Sequence, residues 1–212
     1  MANEHVLIVY FNVESEAFQA LSEIRQNAVA HHGFVLFEQV SLIKREHGNV
    51  LIKDGFHNGE EIGGGMAIGG VIGSFIGILG GPLGVLLGMG AGATLGSLPA
   101  LNDAEEKNSL IRSVTTRLQD GEMAILAVVQ EENEQDLDRY FGKFDTMIIR
   151  YDAGVIEEEI EYAEKLQEDL AHQAQAAMKK ERSDERKKRA AAKRGGVHTR
   201  FESLKEKFKR NN

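Results

Sequence analysis

Apolar and polar positions change their spacing several times along this chain, and each change marks an element. His5-Val-Leu-Ile-Val-Tyr-Phe11 is an unbroken apolar run rich in β-branched and aromatic residues, the pattern of a strand buried on both faces. Helical spacing follows. Phe18, Leu21, Ile24 and Ala28 share one face, Glu14 or Ser15 lies near the start, and Gly33 stops the helix. Phe34 to Lys44 reads as a second strand, Glu46-His-Gly-Asn49 as a turn, and Val50 to Lys53 as its hairpin partner. After a long insert, acids at Asp103, Glu105 and Glu106 open a helix with Leu110, Ile111, Val114 and Leu118 on its apolar face. Asp120-Gly121 turns it into a strand from Glu122 to Gln130. A short polar helix, Asn133 to Phe141, and a last strand, Phe144 to Arg150, complete the series.

This order predicts an α+β fold: βαββ, an inserted helical hairpin, then αβαβ. Without the insert, the first six elements match the βαββαβ split, which predicts an antiparallel ferredoxin-like sheet with helices on one face. A faint internal echo agrees, since VLIVYFNVESEAFQAL and MAILAVVQEENEQDLDRYF both run strand, acidic turn, helix. The expected organisation is a body over 1–152, interrupted by a hairpin over 62–102, and a charged helical tail over 153–212.

The insert has a pattern of its own. Ile62 to Asn102 is 41 residues without a charge and holds 14 of the 23 glycines. Gly65, Gly69, Gly73, Gly77 and Gly81 recur every fourth residue. After a break at Gly81-Pro82, Gly84, Gly88, Gly92 and Gly96 resume the same spacing. Residues four apart share a helix face, so each leg is expected to present a groove of bare backbone to a partner helix, a glycine zipper. Interior glycine costs a helix about 1 kcal/mol relative to alanine, so legs this rich in it need close helix packing or a hydrocarbon setting. The other faces, Ile68, Ile72, Phe75, Ile76 and Leu79 on one leg and Leu83, Leu86, Leu87 and Leu95 on the other, are bulky and apolar. A body of this size is expected to lack the surface to cover both.

Two placements stay open for the hairpin: embedded in or dipping into a bilayer, or buried in a homo-oligomeric bundle. The first leg, Ile62 to Gly80, would span about 28 Å against a hydrocarbon core of about 30 Å. Acidic flanks at Glu60, Glu61, Asp103, Glu105 and Glu106 and the lack of Trp or Tyr in the insert run against the usual membrane pattern.

Charge separates the chain further. Residues 1–152 hold 10 Lys and Arg against 21 Asp and Glu, whereas 171–212 hold 14 against 5, an acidic body with a basic tail. In the tail, Ile156, Ile160, Ala163, Leu170, Ala174 and Ala177 step by threes and fours along a helix that begins acidic and ends basic, the polarity a helix dipole favours. Arg186, Lys187, Lys188, Arg189, Lys193 and Arg194 are candidate contacts for an anionic surface. Gly195-Gly196 is expected to end that helix. Thr199 and Glu202 then have capping-box spacing ahead of Phe201, Leu204 and Phe208. Absence of cysteine excludes disulfides and thiolate metal sites, and no basic segment followed by an apolar run marks a signal peptide at Met1 to Val6, so an intracellular protein is expected.

A small α/β body, a charge-free glycine-zipper hairpin inserted after its βαββ half, and acids resuming at Asp103 together resemble an uncharacterised bacterial family of predicted membrane proteins of unknown function. The resemblance covers roughly residues 4–152 and implies membrane association. It carries over no catalytic residue, and the tail lies beyond it.

Other chemistry reads weakly. His31, His32, His47 and His57 have no ligand-spaced partners, so no metal is expected. Gly63-Gly-Gly65 with Gly69 lacks the Gly-Lys-Ser/Thr of a phosphate loop, and Glu157-Glu-Glu159 reads as helix-start charge. No nucleophile sits at a recognisable spacing. The expectation is a non-catalytic, cofactor-free, self-associating membrane-associated protein with its body in the cytoplasm. The alternatives are a soluble cytoplasmic oligomeric module binding a small ligand in the body, and nucleic-acid binding by the basic tail, which the acidic body disfavours.

Overall fold

A computed structural model describes residues 3–30, 35–57, 60–61, 69–84 and 109–210. The chain forms two units, Met1–Gln167 and Glu168–Asn212. The first contains strands β1 (Asn3–Phe11), β2 (Val35–Glu46), β3 (Asn49–His57), β4 (Glu60–Glu61), β5 (Met123–Glu131) and β6 (Thr146–Asp152). Its helices are α1 (Glu14–Ala30), α2 (Gly70–Gly80), α3 (Leu110–Arg117), α4 (Glu134–Phe141) and the first turns of α5 (Ala153–Arg210). The predicted α+β class is observed, and the described elements follow the predicted order with β4 added; the second leg of the predicted hairpin lies outside the described residues.

The strands form one antiparallel sheet in the order β4-β3-β2-β5-β1-β6. A split βαβ is present, but it is assembled differently from the sequence expectation. β5 separates β1 from β2, and β6 flanks β1, so the ferredoxin-like quartet is β2-β5-β1-β6, built on β1, α1, β2, β5, α4 and β6. β3 is an addition outside β2. Its own residues explain the displacement. Asn49–His57 alternates exposed and buried positions and carries Lys53 and Asp54, whereas β5 is buried along almost its whole length. A solvated strand suits an edge and a uniformly apolar one suits the centre. The turn between β2 and β3 falls where expected, with His47 and Gly48 both at positive φ, 53° and 79°.

Helices cover both faces of the sheet, not one. On the first face Leu7, Val9, Phe11, Val40, Leu42, Ile125 and Ala127 pack with Ala17, Leu21 and Ile24 of α1 and Leu137 and Phe141 of α4. Phe11, Tyr140, Phe141 and Phe144 form edge-on and tilted ring contacts there, with centroids 4.9–6.3 Å apart. The alternate residues, Val6, Ile8, Tyr10, Ile43, Ala124 and Leu126, are also buried. Over this second face lie α2, α3 and the start of α5, burying Ile72, Phe75, Ile78, Leu110, Val114, Ile156 and Ile160. The Tyr10 hydroxyl and Ser113 Oγ lie 2.9 Å apart across this layer, and burial pushes the Tyr10 pKa up to about 12.

α5 continues through Gly195-Gly196, where a break was expected, and ends at Arg210. Two interior glycines cost about 2 kcal/mol, a modest penalty in a helix of 58 residues flanked on one side by Ala190, Ala191 and Ala192. Residues 168–210, the described part of the second unit, hold exposed i, i+4 pairs such as Arg189 with Glu185.

Candidate functional site

α2 is the described part of the first glycine leg. Residues 62–68 and 85–108 lie outside the described residues, and with them Gly65, Gly88, Gly92 and Gly96. Helix α2 ends at Gly80 with Gly81 as its C-cap, and 82–84 resume helical backbone with Pro82 in the first turn, so the break at Gly81-Pro82 is where the sequence puts it.

The bulky side of α2 is already occupied. Ile72, Phe75, Ile78 and Leu79 are buried in the second face of the sheet, where α2 contacts β3 and β5. Fully burying four such side chains contributes about 6–12 kcal/mol, against about 1 kcal/mol for each interior glycine of α2. The sheet therefore supplies, for this part of the leg, the apolar environment that the sequence assigned to lipid or to a partner chain.

The opposite side differs from residue to residue. Gly69, Gly77 and Gly80 are exposed, and a β-carbon built at any of them meets no atom within 4 Å. Gly73 is half-buried. Gly81 and Gly84 serve the body itself: a β-carbon at Gly81 would overlap the Gln167 carboxamide, and one at Gly84 would overlap the backbone of Leu79. Gln167 Nε2 also donates to the Gly77 carbonyl at 3.5 Å. The zipper set is thus divided, with Gly69 and Gly77 open, Gly73 intermediate, and Gly81 and Gly84 packed.

Side chains from distant segments hold the ends of the two helices that border 85–108. Gly69 offers α2 no side-chain cap. Gln39 of β2, 2% exposed, substitutes for one, donating through Nε2 to the Gly69 carbonyl at 3.0 Å and accepting the Ile72 amide at 3.4 Å. At α3, Ser109 caps the Arg112 amide, and Glu159 of α5 accepts from Ser109 Oγ and from the Leu110 and Ile111 amides, the latter two at 2.9 and 3.4 Å. Desolvation raises the Glu159 pKa above the ordinary carboxylate range, and its hydrogen bonds oppose that shift. Arg45 of β2 donates to the Thr115 and Leu118 carbonyls at 3.0 Å and closes the other end of α3. None of these three roles was read from the sequence. The only local hint was a Gln amid the apolar positions of a strand.

The remaining buried charge is a structural clip. Glu131, 2% exposed, accepts from Arg150 Nε at 2.8 Å and lies 3.0 Å from His5 Nδ1, while Arg150 reaches Asp138 at 2.8 Å. It ties the ends of β1, β5 and β6 to α4. Among the described residues no group of three or more His, Asp or Glu side chains is placed to hold a metal.

In the second unit Arg186, Lys187, Lys188, Arg189 and Lys193 are exposed along α5, and the side chain of Arg194 lies outside the described residues. Helical spacing puts Arg186, Arg189 and Lys193 on one stripe and turns Lys188 away from it. No helix among the described residues is long and apolar enough to cross a membrane: α2, with 11 residues, spans about 16 Å.

Comparison with known proteins finds no match among curated proteins and none among solved structures. One family model matches residues 65–181, taking in α2, α3, β5, α4, β6 and the first half of α5. The match begins later than the resemblance over 4–152 implied, and it reaches into the tail. Since it covers just over half of the 212 residues, the chain belongs to the family described as Protein of unknown function (DUF1269).

Proposed function

We propose that this protein is a non-catalytic, membrane-associated, self-associating protein, in which the glycine-rich segment 62–102 drives assembly and the α/β body faces the cytoplasm. The supporting observation is the two-sidedness of α2. Its bulky face is seated on the sheet, while Gly69, Gly77 and Gly80 leave open backbone on the other side. Such a surface admits a second helix at short range, where van der Waals packing is strongest. Association with a membrane is supported by the uncharged length of 62–102 and by the basic residues of the tail, each attracted to anionic headgroups by about 1 kcal/mol near the surface.

Cell fractionation with and without detergent, followed by mass determination of the assembly, tests this. The expected outcome is recovery in the membrane fraction as an oligomer. A soluble monomer would sink the reading. Gly77→Leu tests the helix-docking part, because a β-carbon at this exposed position meets no atom within 4 Å, and a thermal-unfolding control on the same variant separates loss of docking from loss of folding. Normal assembly of that variant would remove the glycine face from the mechanism.

A further inference from the structure

The two edges of the sheet are finished differently. On one side β3 carries Lys53 and Asp54, β2 beneath it has a register shift between Leu42 and Ile43, and the short strand β4, made of two glutamates, covers Phe56 and His57. These are the devices by which proteins blunt an edge. On the other side β6, Thr-Met-Ile-Ile-Arg-Tyr-Asp, carries Arg150 and Asp152 but has no register shift and, among the described residues, no covering strand. It pairs with β1 in unbroken register over all seven residues, without proline, lysine or bulge.

The hydrogen-bond phase shows which groups face outward. The Asn12 amide donates to the Asp145 carbonyl at 3.2 Å, so that pair is a hydrogen-bonded one. Antiparallel pairs alternate, so Met147, Ile149 and Tyr151 bond inward to β1. The amides and carbonyls of Thr146, Ile148 and Arg150 point away, and no strand among the described residues lies beyond β6 to reach them, while Asp152 leads into α5. Met147 is exposed, and Ile148 and Ile149 are half-buried.

We propose that β6 is an interaction surface for a second copy of this chain, with the two β6 strands pairing antiparallel about a two-fold axis at Ile149. An antiparallel edge can complement itself by symmetry, and charge selects the register. Centring the axis on Arg150 would oppose like charges. Centring it on Ile149 gives full overlap of the strand. Met147 then meets Tyr151 of the second copy, Ile149 meets its own counterpart, Arg150 faces Ile148, and Thr146 faces Asp152. Each Arg150 is already neutralised by Glu131 and Asp138, so the two guanidiniums on the diagonal carry little net repulsion. This surface is separate from the glycine face of α2, and the inference does not depend on the function proposed above.

The chain has no cysteine, so single replacements report cleanly. In the paired edge Ile149 is a non-hydrogen-bonded position about 4.5 Å between Cα atoms from its counterpart, within the range a disulfide bridges. Met147 lies about 14 Å from its own counterpart. Under a mild oxidant, full-length Ile149→Cys is expected to form covalent dimers at least ten times faster than Met147→Cys. Adding Ile148→Pro, which removes an outward amide and leaves the inward bonds to β1 in place, is expected to abolish that advantage. The preference is expected to survive Gly77→Leu. Equal rates for the two cysteines, absence of crosslinking in both while circular dichroism shows an intact sheet, crosslinking insensitive to Ile148→Pro, or its loss with Gly77→Leu would each overturn the proposal.

Discussion

The Glu159 carboxylate of α5 accepts the Leu110 amide at the start of α3 from 2.9 Å, so a helix that follows the sheet caps one that precedes its central strand. This bond, with those from Ser109 and Ile111, anchors the point where the chain returns to the described body after residue 108. Glu159→Ala would leave buried donors unmatched and is expected to cost about 1–3 kcal/mol in a denaturant titration. Glu159→Gln, which keeps an acceptor, is expected to cost less.

The pH dependence of this site has a defined sign. The folded-state pKa of Glu159 is raised, mainly by desolvation, so the folded protein holds this proton more tightly than the unfolded chain. Its contribution to stability is fully present below the unfolded carboxylate value and is lost as pH rises through the folded value. Measured against pH, the stability of Glu159→Gln relative to the parent should therefore rise across that window. A flat difference would show that the hydrogen bonds cancel the desolvation.

Three glycines in or beside α2 should respond to alanine with three different results. Gly77→Ala replaces an exposed helix-interior glycine in open space and is expected to stabilise the body by about 0.5–1 kcal/mol. Gly81→Ala displaces only the end of the Gln167 side chain and should cost less than about 1 kcal/mol, an effect that disappears in a Gln167→Ala background. Gly84→Ala meets the Leu79 backbone, which cannot step aside, and should cost about 1–3 kcal/mol. Thermal unfolding of the three variants checks the ranking.

Removing Glu131 takes from Arg150 one of its two carboxylate partners, leaving Asp138, and takes from His5 its contact. Glu131→Ala is expected to destabilise by about 1–3 kcal/mol. Hydrogen exchange should show the loss first at the paired ends of β1 and β5, Asn3 to His5 with Val129 to Glu131. Uniform loss across the sheet would contradict a local clip.

The basic stripe of the tail makes a claim measurable by flotation with anionic vesicles. Neutralising Arg186, Arg189 and Lys193 should weaken retention by about 3 kcal/mol at low salt, with the difference shrinking as salt rises. Neutralising Lys188, turned away on the helix, should have a smaller effect. Equal effects would show that the tail acts through total charge rather than through one face.

What could be read in advance was what depends on local pattern. The apolar run of β5, the turn at His47-Gly48 and the stop at Gly81-Pro82 all lie where residue spacing puts them. Strand order was harder, because Asn49–His57 and Met123–Glu131 are both credible neighbours for β1, and only the burial of whole faces decides between them. The covering of the second face was missed for a related reason: the bulky side of α2 can satisfy lipid, a partner or its own sheet with one sequence. Gln39, Arg45 and Glu159 were beyond reach altogether. Each caps a helix 30 or more residues away, and no local spacing encodes such a partner.

Among the described strands β5 is the one that lies between β1 and β2, and it is made last but one. On a chain emerging from the ribosome, the first two long strands have no bond between them until the entire uncharged segment has been synthesised and Met123–Glu131 follows. The segment must therefore find its first lodging, whether among the residues that become the second face or elsewhere, before the sheet exists to receive it. Contacts this distant in sequence form slowly, and exposed apolar surface waits in the interval.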